Sequence, residues 1–153
     1  MRNKRFIAEH RGGPLKKEQH RQLIVWACSC SENVLHLFGS ETDDRLRNAL
    51  VVAKAWAAGN ASVGEARKAS LNAIEVARES ADPVSAAIAR SVGHAAATAH
   101  MADHSTGAAD YALKAVKLAG KSVEKERKWQ TEQLSPEILE LVIQARSKRS
   151  LKI

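Results

Sequence analysis

The residues best suited to chemistry are three histidines gathered in one short stretch, His94, His100 and His104. They lie in Gly93-His94-Ala95-Ala96-Ala97-Thr98-Ala99-His100-Met101-Ala102-Asp103-His104, which is rich in alanine and carries no lysine or arginine. On a helix, residues four apart lie about 40° apart around the axis, so His100 and His104 are expected on one face. Two imidazoles at that spacing can hold one divalent metal ion, and His94 can frame the same cleft. The glutamate that follows the first histidine of the zinc-protease signature is missing, and with it that chemistry's general base. The competing reading gives these imidazoles hydrogen bonds to helix ends, carboxylates or water, or a place at an interface.

Other chemical signatures are absent. The chain has no phosphate-binding loop, nucleophile elbow, C-x-x-C pair or dinucleotide fingerprint. Gly12-Gly13-Pro14-Leu15-Lys16-Lys17 is too short and wrongly ordered for a Walker motif. Cys28 and Cys30 are the only cysteines. Two residues apart on a helix, they point about 200° apart and cannot easily bridge. They read as reduced, structural thiols, and no cofactor is expected beyond the possible metal.

Charged and aromatic side chains offer a binding role instead. Asp43-Asp44-Arg45 opens a helix, where acids suit the positive end, and Arg45 is expected to pair with Glu65 or Glu75 across the bundle. Glu65 closes a capping box with Ser62, and Arg67 faces elsewhere on that helix. Trp26 and Trp56 read as core, whereas Trp129, on a charged segment, suits either the core or an interface. Asp44, Arg45, Glu65, Arg67 and Trp129 are therefore the candidate partner-binding residues.

The elements that must position these groups are helices. One stripe, Leu23, Trp26, Ala27, Cys30, Val34, Leu37 and Phe38, recurs at steps of three and four and predicts a helix over 17–38. A second, capped by Asp43 or Asp44, buries Leu46, Ala49, Leu50, Ala53, Trp56 and Ala57 and ends at Gly59-Asn60. A third starts at the Ser62 capping box, with Val63, Ala66, Ala69 or Ser70, Ala73, Ile74 and Ala77 inward. Asp82-Pro83 opens a fourth, which is expected to run through the whole histidine stretch. Its face Ser91, Ala95, Thr98 and Ala102 is small and allows close helix approach. Ser105-Thr106-Gly107 is expected to break the chain before a fifth helix around Tyr111 and Ala115. The charged segment 121–133 is strongly helix-forming, and Ser135-Pro136 starts a last helix.

The expected fold is all-α: a single-domain bundle of about five to six alanine-rich amphipathic helices. It is divided into a flexible basic arm (1–15), a helical domain (16–146) and a basic tail (147–153). At 153 residues one domain can bury roughly 70% of its unfolded surface and needs no staple. No apolar run approaches the ~20 residues of a membrane span, and the basic N-terminus has no apolar stretch behind it to make a signal peptide. A cytoplasmic location without membrane association is expected.

Charge is unevenly spread. Residues 1–21 carry seven Lys/Arg against two Asp/Glu, residues 22–113 seven against ten, and residues 114–153 ten against five. Basic ends around a mildly acidic middle can attract nucleic acid or an acidic protein. No aromatic or glycine pattern of a nucleic-acid module accompanies them, so nucleic acid is a poor fit as partner.

Several of these pieces, in order, carry a family resemblance: Trp26-Ala27-Cys28-Ser29-Cys30-Ser31-Glu32 followed by Val34-Leu35; Asp44-Arg45, Arg47 and Ala49 leading to Ala55-Trp56 and Gly59; Gly64-Glu65-Ala66-Arg67-Lys68-Ala69; Gly93-His94-Ala95 with Ala97-Thr98-Ala99-His100-Met101 and His104; and Ala109, Tyr111-Ala112 and Lys114-Ala115. Glu126-Arg127 and Trp129-Gln130 are a weaker echo. Spanning roughly residues 20–130, the chain resembles the immunity proteins of bacterial polymorphic-toxin systems, in the immunity-five-like helical group. The resemblance implies an all-α, non-catalytic binding protein that neutralises a cognate protein toxin by masking it. Many toxin-neutralising proteins are acidic to match basic nucleases; this chain is basic, which argues against such a partner except at residues 22–113. The alternative from the residues alone is a metal-binding bundle or enzyme using His94, His100 and His104. A monomer and a homodimer are both compatible with the sequence.

Overall fold

The structure, a computed structural model, describes residues 3–39 and 41–149. Among these, seven α-helices follow in order: α1 (Lys17–Glu32), α2 (Asp44–Ala57), α3 (Val63–Glu79), α4 (Pro83–Ala97), α5 (His104–Leu118), α6 (Val123–Glu132) and α7 (Pro136–Arg149). The all-α bundle is as expected, with more helices than the five to six anticipated. The charged segment and the Ser135-Pro136 restart each form a separate helix. The first helix is shorter than its stripe suggests: α1 stops at Glu32, and Leu35–Leu37 form a 3-10 turn.

Helix starts follow local chemistry. The Asp43 carboxylate accepts from the Arg45 amide, and Asp82 accepts from the Val84 and Ser85 amides beside Pro83. Ser62 and Glu65 exchange both bonds of a capping box, each at 3.0 Å. Each cap satisfies amides that a helix leaves without partners.

The core is built on α1, α4 and α5. Three small polar residues make close approach possible there. Ser31 on α1 and Ser91 on α4 meet hydroxyl to hydroxyl at 2.8 Å, and Ser91 donates to the Ala108 carbonyl of α5 at 2.7 Å. Both serines are fully buried, as are Ala95 and Thr98. A larger side chain at any of these positions would separate the axes. Because α1 is enclosed by α2, α4, α5 and α7, Cys28 and Cys30 are both buried despite pointing apart. Burial pushes the Cys28 thiol up to about 12 and raises that of Cys30 as well. Both are neutral, unreactive thiols.

Two expectations are corrected. Residues 3–15, anticipated within a flexible arm, are folded onto the bundle: Phe6, Ala8 and Leu15 are buried, and Ala8 pairs with Leu15 in an isolated bridge. The cause is the apolar triplet itself, aided by Gly13, where a Cβ would stand 2.1 Å from the Ile7 carbonyl oxygen. Of the tail, 147–149 continue α7, and the remainder lies outside the described residues. In α3, Val63 is exposed rather than inward, while Ala66, Ala69, Ser70, Ala73 and Ala77 bury their side chains as the stripe requires.

A buried polar clasp joins the last two helices to the rest. The Trp26 indole N–H donates to the Gln130 carbonyl at 2.8 Å. The Gln130 side chain, fully buried, donates to the Ala109 carbonyl at 3.1 Å and accepts from Arg146 at 2.8 Å. One side chain thus joins α5, α6 and α7, and Arg146 lies over the Trp26 ring, 5.8 Å from its centroid. Replacing Gln130 by Leu keeps the volume but removes the bonds to Ala109 and Arg146 in a low-dielectric site. Urea unfolding of Gln130→Leu is expected to show a loss of about 1–3 kcal/mol at unchanged denaturant slope.

Candidate functional site

The histidine stretch is not one helix. α4 ends at Ala97, the chain turns through residues 98–103, and α5 starts at His104. Local hydrogen bonds explain the break. The Thr98 hydroxyl bonds back to the His94 carbonyl at 3.0 Å, competing with the backbone ladder. The Ala99 and His100 amides then reach carbonyls only three residues back, those of Ala96 and Ala97. The Thr98 carbonyl, which the helix can no longer use, accepts from His20 Nε2 of α1 at 2.6 Å. Ser105-Thr106-Gly107, expected as the breaker, lies instead in the buried first turn of α5.

The break brings the three histidines together by a different route from the one their spacing predicts. His100 is in the turn, His104 opens α5, and His94 faces both from the last turns of α4. The ring centroids of His94 and His104 are 5.1 Å apart, and those of His100 and His104 are 5.4 Å apart. The Nδ1 atoms of His94 and His104 meet at 3.1 Å. One must donate and the other accept, so these two ring nitrogens are turned on each other. Among the described residues no group of three or more His, Cys, Asp or Glu side chains is placed to hold a metal ion. The donor set anticipated from His94, His100 and His104 is therefore not formed.

What forms is a half-buried corner of imidazoles with Arg67 and Arg11 close enough to act on it. Gly107 makes room for it: a Cβ there would stand 2.8 Å from His94 Nδ1. The other side of the corner is Tyr111, stacked on His94 at 5.1 Å and 28°. Burial, then the charges of His104, Arg67 and Arg11, hold the His100 imidazole below its ordinary range, with Asp103 opposing. Its Nδ1 is shielded from solvent and meets no hydrogen-bond partner among the described residues.

The candidate binding residues fall in three places. Arg67 is exposed and belongs to the histidine corner electrostatically. Glu65, nearby on α3, is committed to the capping box. Asp44 and Arg45 lie at the far end, because α2 and α3 run antiparallel and α3 alone is roughly 25 Å long. There Arg45 bonds to Asp43 at 2.9 Å and to Glu79 at 2.9 Å, in place of the expected Glu65 or Glu75. Its guanidinium holds both carboxyls below the usual carboxylate range. Asp44 is almost fully exposed, 3.7 Å from Arg47. Trp129 is half-buried on α6, beside His36, Leu37 and Val116.

Tyr111 and Arg11 are members of the corner that sequence reasoning missed. Tyr111 had a signal, since it follows His104 by two helical turns and so shares its face. Arg11 had none, because its approach depends on how residues 3–15 fold back.

The family model of the Imm-5 like putative immunity protein matches residues 13–137. The chain belongs to this family. The matched span holds the whole of α1 to α6, hence the three histidines, Tyr111 and Arg67. It leaves out Arg11 and nearly all of α7, including Arg146. Neither the curated proteins nor the solved structures yield a match.

The electrostatics of the corner have a measurable consequence. His100 should titrate below the ordinary 6.5. The unfolded chain then takes up the proton first, so stability falls as pH drops from about 6.5 toward the folded-state value and levels off below it. Removing a neighbouring charge by Arg67→Gln should move the His100 midpoint back up. An NMR titration giving a midpoint at or above 6.5, or one that ignores Arg67→Gln, would contradict this account.

Proposed function

We propose that the chain is an immunity protein: a non-catalytic binder that masks a cognate protein toxin and so protects the cell that makes both. The family match over residues 13–137 carries this reading. The reading carries with it a bacterial, cytoplasmic setting; among the described residues no helix is long and apolar enough to cross a membrane.

The geometry narrows the face that would do the binding. Arg45 joins α2 to Glu79 of α3 and Glu65 caps its own helix, so both are poor contact residues, because each would have to give up an internal partner. Asp44 stands alone at the far end of α2. Arg67, His100 and His104 share one corner, and an interface of ordinary size, about 800 Å² per partner, extends easily from it onto neighbouring helices. A partner over this corner meets positive charge. That favours an acidic contact surface on the toxin and disfavours the basic surface of a nuclease. Trp129 belongs to a separate patch and serves packing against the 3-10 turn at Leu35–Leu37 before it serves a partner.

The decisive experiment uses the polypeptide encoded beside this one. Expressed alone, it should arrest growth, and co-expression of this chain should restore it. Tagged and inactivated, it should recover the chain in a complex of about nanomolar affinity. A neighbouring product that is toxic yet neither binds this chain nor is neutralised by it would refute the proposal.

A further inference from the structure

A groove of about 870 Å³ runs between α5 and α6, starting at the histidine corner. Tyr111, with His94 stacked on it, closes one end. Its floor includes Leu118, which is 47% exposed, and Val123 of α6. Lys114, Lys117 and Arg127 stand around it, all exposed. Elsewhere on the surface Arg45, Lys54 and Arg78 each contact a carboxylate within 3.0 Å. None of the three groove cations makes an ion pair among the described residues. Asp110 is the one acid in the lining, and it faces Arg146 at 3.9 Å. The groove is thus an apolar slot under an unneutralised cationic rim.

We infer that this groove is the docking site for an acidic segment of the partner protein, whose carboxylates meet Lys114, Lys117 and Arg127 while one large apolar side chain lies on Leu118 and Val123. The inference rests on the binding function proposed above and names the chemistry of the partner's contact. Charge complementarity selects an anionic occupant. The apolar floor selects a polypeptide over a nucleic acid. Single-stranded binders need free aromatic faces for successive bases; here the lone ring, Tyr111, is already covered by His94, with Lys114 Nζ 5.9 Å from its centroid. A duplex presents a ridge of phosphates with nothing to fill an aliphatic slot. Lys114 and Lys117 are one turn apart on α5, and Arg127 faces them from α6, so an extended or helical segment between them can contact both walls.

The test compares three proteins: the wild type, the groove variant Lys114→Glu/Lys117→Glu/Arg127→Glu, and a control of equal charge change, Lys4→Glu/Lys17→Glu/Lys68→Glu. All six positions are exposed, and circular dichroism melts confirm that each variant folds. Two probes are used at low salt: a fluorescent hexapeptide of glutamate around a central phenylalanine, and the inactivated polypeptide encoded beside this chain. The wild type should bind the peptide with an affinity that falls as salt rises. The groove variant should lose at least about tenfold for both probes, and the control less than about threefold. Equal losses in groove variant and control would show a diffuse charge effect and overturn the site. So would a wild type that ignores the peptide while its groove variant keeps full affinity for the neighbouring polypeptide; the immunity function would then stand without this groove. Peptide binding that depends on the groove, with no binding of the neighbouring polypeptide, would leave the site standing and remove the immunity assignment. A DNA oligonucleotide that displaces the peptide and discriminates between groove variant and control would make the occupant a nucleic acid and overturn the inference.

Discussion

The hydrogen bond from His20 Nε2 to the Thr98 carbonyl, 2.6 Å long and buried, is the contact on which the arrangement of this molecule depends. A helix that stops inside a core leaves carbonyls without partners, and each costs about 1–3 kcal/mol if nothing answers it. α1 supplies the answer from sixty and more residues away. It lets α4 end at Ala97 without exposing backbone, so α5 can return antiparallel beside it. The Ser31–Ser91–Ala108 junction fixes the same three helices one layer further along. The whole side of the bundle from His94 to the α5/α6 groove hangs on that reversal.

Much of this was legible in the residues and some was not. Caps were readable, because Ser62, Asp82 and Asp43 act on amides two or three positions away. The apolar stripes of α2 and of most of α3 were readable for the same reason. The break at Thr98 was not. Alanine on both sides says helix, and the overriding event is a bond to a residue on another helix. The histidines illustrate the cost. His100 and His104 were placed together by a helical spacing that does not exist there, and they meet because the chain turns. The arm at residues 3–15 was misread for a similar reason. Phe6, Ala8 and Leu15 make no periodic pattern, and their burial is decided only by the surface they meet.

The charge pattern looks different once folded. Read along the chain, the basic ends flank an acidic middle. In space, several acids of the middle are taken up by caps and by the Arg45 cluster, as with Asp43, Glu65, Glu79 and Asp82. Arg67 lies in the formally acidic segment yet acts on the histidine corner. Net charge by segment therefore does not give the charge of any one face of the folded bundle.

Cys28 and Cys30 give the bundle a built-in gauge of its own integrity. Both thiols are buried on α1, and neither ionises until far above neutral pH. An alkylating or oxidising reagent can reach them only when α1 parts from the helices that enclose it. The speed at which they are modified therefore counts openings of the core, helix pair by helix pair, in the unaltered chain and with no label attached. A partner that clamped α4 to α5 would slow that clock wherever it bound.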